Sequence, residues 1–152
     1  MNVTIRSAKV EDVEALFAVR TSVVENHQSR EKLAELGITA NSIASLIQNA
    51  AYSCHVATDG DRIIGFSMTD LSEGYVFALF VRPEYESQGI GRGLMELTEA
   101  AARAWGVSTL WLSTGDDRAL RAYGFYRHLG WRADGVLEDG QIVFRKRLAG
   151  DG

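Results

Sequence analysis

Gln88-Gly89-Ile90-Gly91-Arg92-Gly93 is the stretch on which the reading of this chain turns. Before it stands Tyr75-Val76-Phe77-Ala78-Leu79-Phe80-Val81, a dense run of β-branched, aromatic and other apolar residues that predicts a buried strand. After it stands Leu94-Met95-Glu96-Leu97-Thr98-Glu99-Ala100-Ala101-Ala102-Arg103-Ala104-Trp105, which reads as an amphipathic helix. A strand, a glycine-rich turn and a helix start together make an anion site. Backbone N–H groups without helical partners point outward there, and the helix dipole adds partial positive charge. Glycines let a bulky phosphate approach the backbone closely. The segment is therefore expected to hold a phosphate-bearing ligand; the plainer alternative is a tight glycine turn with nothing bound.

A Walker-type loop requires Lys followed by Ser or Thr after its last glycine, and here Leu94 and Met95 follow. The dinucleotide fingerprint G-x-G-x-x-G accommodates Gly89 and Gly91 but requires its third glycine where Leu94 stands. The pattern that matches is Gln-x-x-Gly-x-Gly, carried by Gln88, Gly91 and Gly93, after Val81-Arg82-Pro83-Glu84-Tyr85. It resembles the pyrophosphate-binding signature of the GCN5-related N-acetyltransferase (GNAT) family.

At 152 residues the chain has the length of one domain with a self-sufficient core. We place that domain at residues 1–148 and read 149–152 as a flexible tail. Apolar residues at 46% and charged residues at 24% describe an ordinary soluble protein. A net charge of −4 argues against a general nucleic-acid binder, so an anionic ligand must be met by local groups. The single cysteine, Cys54, falls in an apolar strand pattern and reads as a core residue, not a nucleophile. Met1 to Arg6 leads directly into a strand pattern, and no apolar run reaches membrane-spanning length. The expected location is the cytoplasm, away from membranes.

The remaining pattern predicts a strand at 3–6, then a helix with Val13, Leu16, Phe17, Arg20 and Val24 at helical spacing. Short helices follow at 29–36 and from Thr39 to about 49, the latter with Ile43, Leu46 and Ile47 inward. Strands at 52–58 and 62–69 flank the hairpin signal Asp59-Gly60-Asp61. A turn at 71–74 precedes the strand at 75–81, and the helix at 91–105 ends at Gly106, with Glu99 and Arg103 paired on its outer face. A strand at 108–113, a helix at 118–129 and a closing hairpin of 131–136 and 141–148 complete the chain. The fold class is α/β, a mixed architecture with a central, twisted, mostly antiparallel sheet flanked by helices, similar almost end to end to the GNAT fold.

A second motif strengthens the resemblance. Phe125-Tyr126-Arg127-His128-Leu129-Gly130-Trp131 resembles the family's F-Y-x-x-x-G-F segment and follows the glycine loop by ~35 residues, in the family's order. The resemblance implies transfer of an acetyl group from acetyl-CoA to a primary amine, with no metal. Negative charge builds on the thioester oxygen, then on the departing sulfur. A backbone N–H near Phe80 or Val81 is suited to the first and a phenol to the second. By resemblance Tyr126 is the catalytic acid; packing alone is the alternative for it, and Tyr123 is the neighbouring candidate. Resemblance also assigns the pantetheine to the main chain of Leu79, Phe80 and Val81. It assigns the pyrophosphate to Ser87, Gln88, Gly89, Ile90, Gly91, Arg92 and Gly93, with Arg82 and Arg92 as possible cations beside it.

Two family features are missing. Thr114-Gly115-Asp116-Asp117-Arg118-Ala119 lacks the cofactor-contacting asparagine, and Leu110-Trp111-Leu112-Ser113 lacks the glutamate that some members use as base. Glu73 is the catalytic-base candidate, and Asp70, Glu25 and His27 are expected around the acceptor, with histidine also suited to base work. Their charge favours a cationic amine, and the short chain favours a small one. Two alternatives stay open: a non-catalytic acyl-CoA-binding sensor, and an acetyltransferase for protein N-termini or lysines. A homodimer is possible through an exposed edge at the closing strand 141–148.

Overall fold

A computed structural model describes residues 2–23, 27–114 and 121–148. Seven strands form one sheet in the order β1-β2-β3-β4-β5-β7-β6. They are β1 (Val3–Ser7), β2 (Tyr52–Asp59), β3 (Arg62–Asp70), β4 (Tyr75–Val81), β5 (Thr109–Thr114), β6 (Arg132–Val136) and β7 (Ile142–Arg147). All neighbours are antiparallel except β4 and β5, which run parallel. The helices are α1 (Val13–Ser22), α2 (Arg30–Glu35), α3 (Ala40–Ile47), α4 (Ile90–Trp105) and α5 (Arg121–His128). The sheet is thus the mixed, mostly antiparallel one expected.

Local chemistry explains the element starts. Ser29 and Thr39 cap α2 and α3 by accepting the N–H groups of Lys32 and Ser42 at 3.1 and 3.2 Å. Asp12 precedes α1 and turns back, accepting from both guanidinium nitrogens of Arg6 at 2.8 and 3.1 Å and from the Lys9 N–H at 2.7 Å. These contacts hold its carboxyl below the usual range, with the Arg6 hydrogen bond as the largest cause.

The two faces of the sheet carry separate cores. On one, Leu16, Phe17, Val19, Leu33 and Ile43 pack on Cys54, Val56, Phe66 and Met68. On the other, Met95 and Ala102 of α4 and Tyr123 and Tyr126 of α5 pack on Val76, Leu110, Leu112 and Phe144.

Two expectations are corrected here. Glu99 does not lie on the outer face of α4: it is 7% exposed, and Lys146 Nζ donates to it at 3.1 Å while Arg103 reaches it at 3.5 Å. Lys146 also donates to the Leu129 carbonyl at 3.0 Å, so one lysine ties β7, α4 and the end of α5 together. The closing strand β7 is no free edge, because β5 and β6 flank it; the edge strand at that end of the sheet is β6. The last hairpin folds outward over β7 and reverses their expected places. The proposed helix start at 118–120 and the tail at 149–152 lie outside the described residues.

Candidate active site

β4 is the element that builds the site. Its pairing with β3 shifts register between Met68 and Thr69, where Ala78 and Val76 are the partners, so Phe77 is bulged out of the ladder. On its other side β4 pairs with β5 at Tyr75↔Trp111 alone. From there the two parallel strands part company. Leu79, Phe80 and Val81, each paired with β3, therefore lie on an edge of β4 that β5 does not satisfy. In an antiparallel strand alternate residues direct N–H and C=O away from their partner, so this edge can pair an extended amide chain as an added strand would.

The edge leads directly to the glycine loop. Pro83–Tyr85 makes a single tight turn, and the Tyr85 hydroxyl donates to Asp59 at 2.7 Å, fastening the turn to the tip of β2. Ser87 and Gly89 both adopt left-handed backbone, at φ 65° and 80°. α4 begins at Ile90, and its first bond runs from the Gly93 N–H to the Gly89 carbonyl at 3.0 Å. The N–H groups of Ile90, Gly91 and Arg92 therefore have no helical acceptor, and among the described residues no side-chain cap is present at this helix start. The first turn of α4 also holds no acidic residue. A 16-residue helix with an uncapped, acid-free start concentrates its partial positive charge there.

The glycines also have a reason in packing. A Cβ on Gly91 would lie 3.1 Å from the Phe125 ring, and one on Gly93 would lie 2.7 Å from Ile5 Cδ1. α4 thus packs closely on α5 and on β1, and a side chain at either position would require the Phe125 ring or the tip of Ile5 to shift. At Gly89 space is open, and the left-handed backbone is what favours glycine. The two sequence motifs thus meet in space, Gly91 of the first against Phe125 of the second. The cations are partly engaged: Arg82 Nε donates to the Ile63 carbonyl at 3.3 Å, and Arg92 pairs with Glu96 at 3.5 Å on the exposed face.

Tyr126 is buried at 9% exposure, with ring centroids of Phe125, Phe144 and Trp131 at 5.2, 5.8 and 5.9 Å. Burial pushes its phenol well above the ordinary tyrosine range, so it keeps its proton at neutral pH. Its partly buried cluster neighbour Leu79 comes from the unsatisfied edge of β4. Tyr123 is equally buried, edge-on to Phe144 at 5.3 Å.

The acceptor candidates are dispersed. Asp70 ends β3 and accepts the Ser72 N–H and hydroxyl at 3.0 and 2.6 Å. Glu73 is exposed in the β3–β4 turn, and its carbonyl accepts the Trp111 indole N–H at 3.2 Å. His27 is exposed, with Nδ1 2.9 Å from the Val23 carbonyl. Among the described residues no hydrogen bond or ion pair joins these side chains. Glu25 and the segment 115–119 lie outside the described residues. Sequence reasoning passed over the rings beside them: Tyr75 stacks on Trp111 at 4.1 Å, and Phe77 lies 6.0 Å from Tyr75 and 6.1 Å from Tyr52. The alternation of Tyr75 and Phe77 along β4 was the available signal. Arg20 of α1 extends its guanidinium over the Phe80 ring of β4, 4.3 Å from the centroid.

Comparison with known proteins agrees with this geometry. The chain is 31% identical over 144 residues to the peptidyl-lysine N-acetyltransferase YjaB of Salmonella typhimurium, covering 91% of this chain and 89% of that protein. It is 33% identical over 86 residues to the ribosomal protein bS18-alanine N-acetyltransferase of Escherichia coli, covering 55% of this chain and 57% of that one. Its fold superposes on the PaiA N-acetyltransferase of Thermoplasma acidophilum, solved with coenzyme A, with a TM-score of 0.85 at 18% identity, covering 97% and 99% of the two chains. The model of the acetyltransferase (GNAT) family matches residues 11–131, and the chain belongs to that family.

Proposed function

We propose that the protein transfers an acetyl group from acetyl-CoA to the ε-amine of a peptidyl lysine, by direct attack in a ternary complex. The observation that carries the transfer is the parted β4–β5 edge running into the uncapped start of α4. An elongated amide chain ending in a pyrophosphate fits both parts. The lysine is supported by the relative named for peptidyl-lysine acetylation, which aligns over 91% of this chain.

The residues act as follows. The N–H groups of Ile90, Gly91 and Arg92 bind the pyrophosphate, and the edge at Leu79–Val81 orients the pantetheine. A main-chain N–H near Phe80 or Val81 faces the thioester oxygen and stabilises its charge as the C–N bond forms. Tyr126 gives its proton to the sulfur as the C–S bond breaks, leaving a free thiol. The amine loses one proton to Glu73 or to water. Asp70 and His27 belong to the acceptor side.

The test is the melting temperature with acetyl-CoA, ATP or NAD, followed by thiol release with a lysine peptide. A ligand at about 100 times its Kd adds roughly 2.7 kcal/mol. At about 2–4 °C per kcal/mol that is a rise of about 5–10 °C. We expect it with acetyl-CoA alone. No rise, or no thiol release, would overturn the reading.

A further inference from the structure

Strand registers place one transverse row of side chains across the sheet. Tyr52 pairs with Asp70, Asp70 with Tyr75, and Tyr75 with Trp111. Directly paired residues project to the same face. Tyr52, Asp70, Tyr75 and Trp111 therefore share the face that α1 and α3 cover farther along, beside the point where β4 and β5 part. Each of the four is half-buried, so part of each remains open to solvent. The rings are held in place. Trp111 donates to the Glu73 carbonyl at 3.2 Å and stacks on Tyr75 with an interplanar angle of 11°. The next residue in the row, Arg145, is paired with Asp134 at 2.6 Å.

Aromatic faces around a carboxylate favour a cation. The amine that attacks the thioester must be neutral at that moment, so a site that stabilises its ammonium form would hold it unreactive. We infer that the row Tyr52–Asp70–Tyr75–Trp111 binds a second positive group of the acceptor, a basic side chain flanking the acetylated lysine. This rests on the acetyltransferase reading above. Exposed Glu73, next to the row, adds charge of the same sign as Asp70.

The test compares two blocked peptides that share one lysine, one with a neighbouring arginine and the other with alanine there. Thiol release from acetyl-CoA is the readout. The natural protein should favour the arginine peptide by about tenfold in kcat/KM, mainly through KM. In Asp70→Asn, which keeps an oxygen for Ser72, and in Tyr52→Leu, the ratio should fall toward one, with melting temperatures confirming the fold. Equal use of the two peptides by the natural protein, or a ratio unchanged in both variants, would overturn the inference while leaving the acetyltransferase reading intact. Absence of thiol release with both peptides would sink the two together. Spermidine outcompeting both peptides would replace the peptide with a free polyamine and refute a flanking side chain as the occupant.

Discussion

Replacing Gly74 with alanine should damage the hinge from which β4 and β5 diverge. Gly74 is buried between β3 and β4 at φ 65°, and its carbonyl accepts the Trp111 N–H at 2.8 Å. A Cβ there would lie 2.7 Å from the Thr109 carbonyl oxygen and 3.3 Å from Val107 Cγ1. The nearer contact is with backbone, which cannot rotate aside. The left-handed conformation costs an alanine about 1–2 kcal/mol. Reduced freedom of the unfolded chain offsets about 0.4–1 kcal/mol of that. Forcing β5 away from the hinge adds about 1–3 kcal/mol. The net loss is about 3 kcal/mol, a fall of about 6–12 °C in melting temperature. Gly60 is the internal control, since it has φ 61° with nothing within 4 Å of a built Cβ. Gly60→Ala carries only the conformational term and should melt about 2–4 °C low. Differential scanning calorimetry on both variants isolates the clash. If Gly74→Ala melts within about 2 °C of Gly60→Ala, the hinge is soft and this reasoning is wrong.

Two further outcomes follow from the buried groups. Tyr126→Phe should lower kcat about a hundredfold while acetyl-CoA raises the melting temperature as in the natural protein, and a loss below twofold would leave the ring a packing role only. Burial pushes the Cys54 thiol up to about 11 from 9.0. The unfolded chain releases that proton first, so stability is full below pH 9 and falls as pH rises from 9 to 11. Cys54→Val should flatten this part of the stability profile, and an unchanged slope would show that other groups cause it.

The legible parts of the fold were those written in local pattern. The apolar run at 75–81 and the glycine-helix junction lie where periodicity puts them, because a buried strand and an amphipathic helix each leave a signal within a few residues. Thr39 announced its helix by capping chemistry. What could not be read was pairing. Nothing local to β7 says that β6 will cover its outer side, or that Lys146 will reach across to Glu99. The same limit applies to the site. Gln88, Gly91 and Gly93 were readable as a motif, yet the packing of Gly91 against Phe125 and of Gly93 against Ile5 depends on neighbours far along the chain. The row through Asp70 exists only once three strand registers are known.

The outermost strand has a consequence for how the molecule behaves when crowded. β6 pairs with β7 at Arg132 and Ala133, then loses register before Val136, and Gly135 takes φ 102°. An open strand edge is a template on which another chain can polymerise. Here the template is five residues long, interrupted by a bulge and charged at Arg132 and Asp134. An incoming strand would meet a broken row of donors and acceptors and two fixed charges of opposite sign. Strand-by-strand growth from this end is thereby discouraged by shape and charge, even with Val136 and Leu137 exposed beside it.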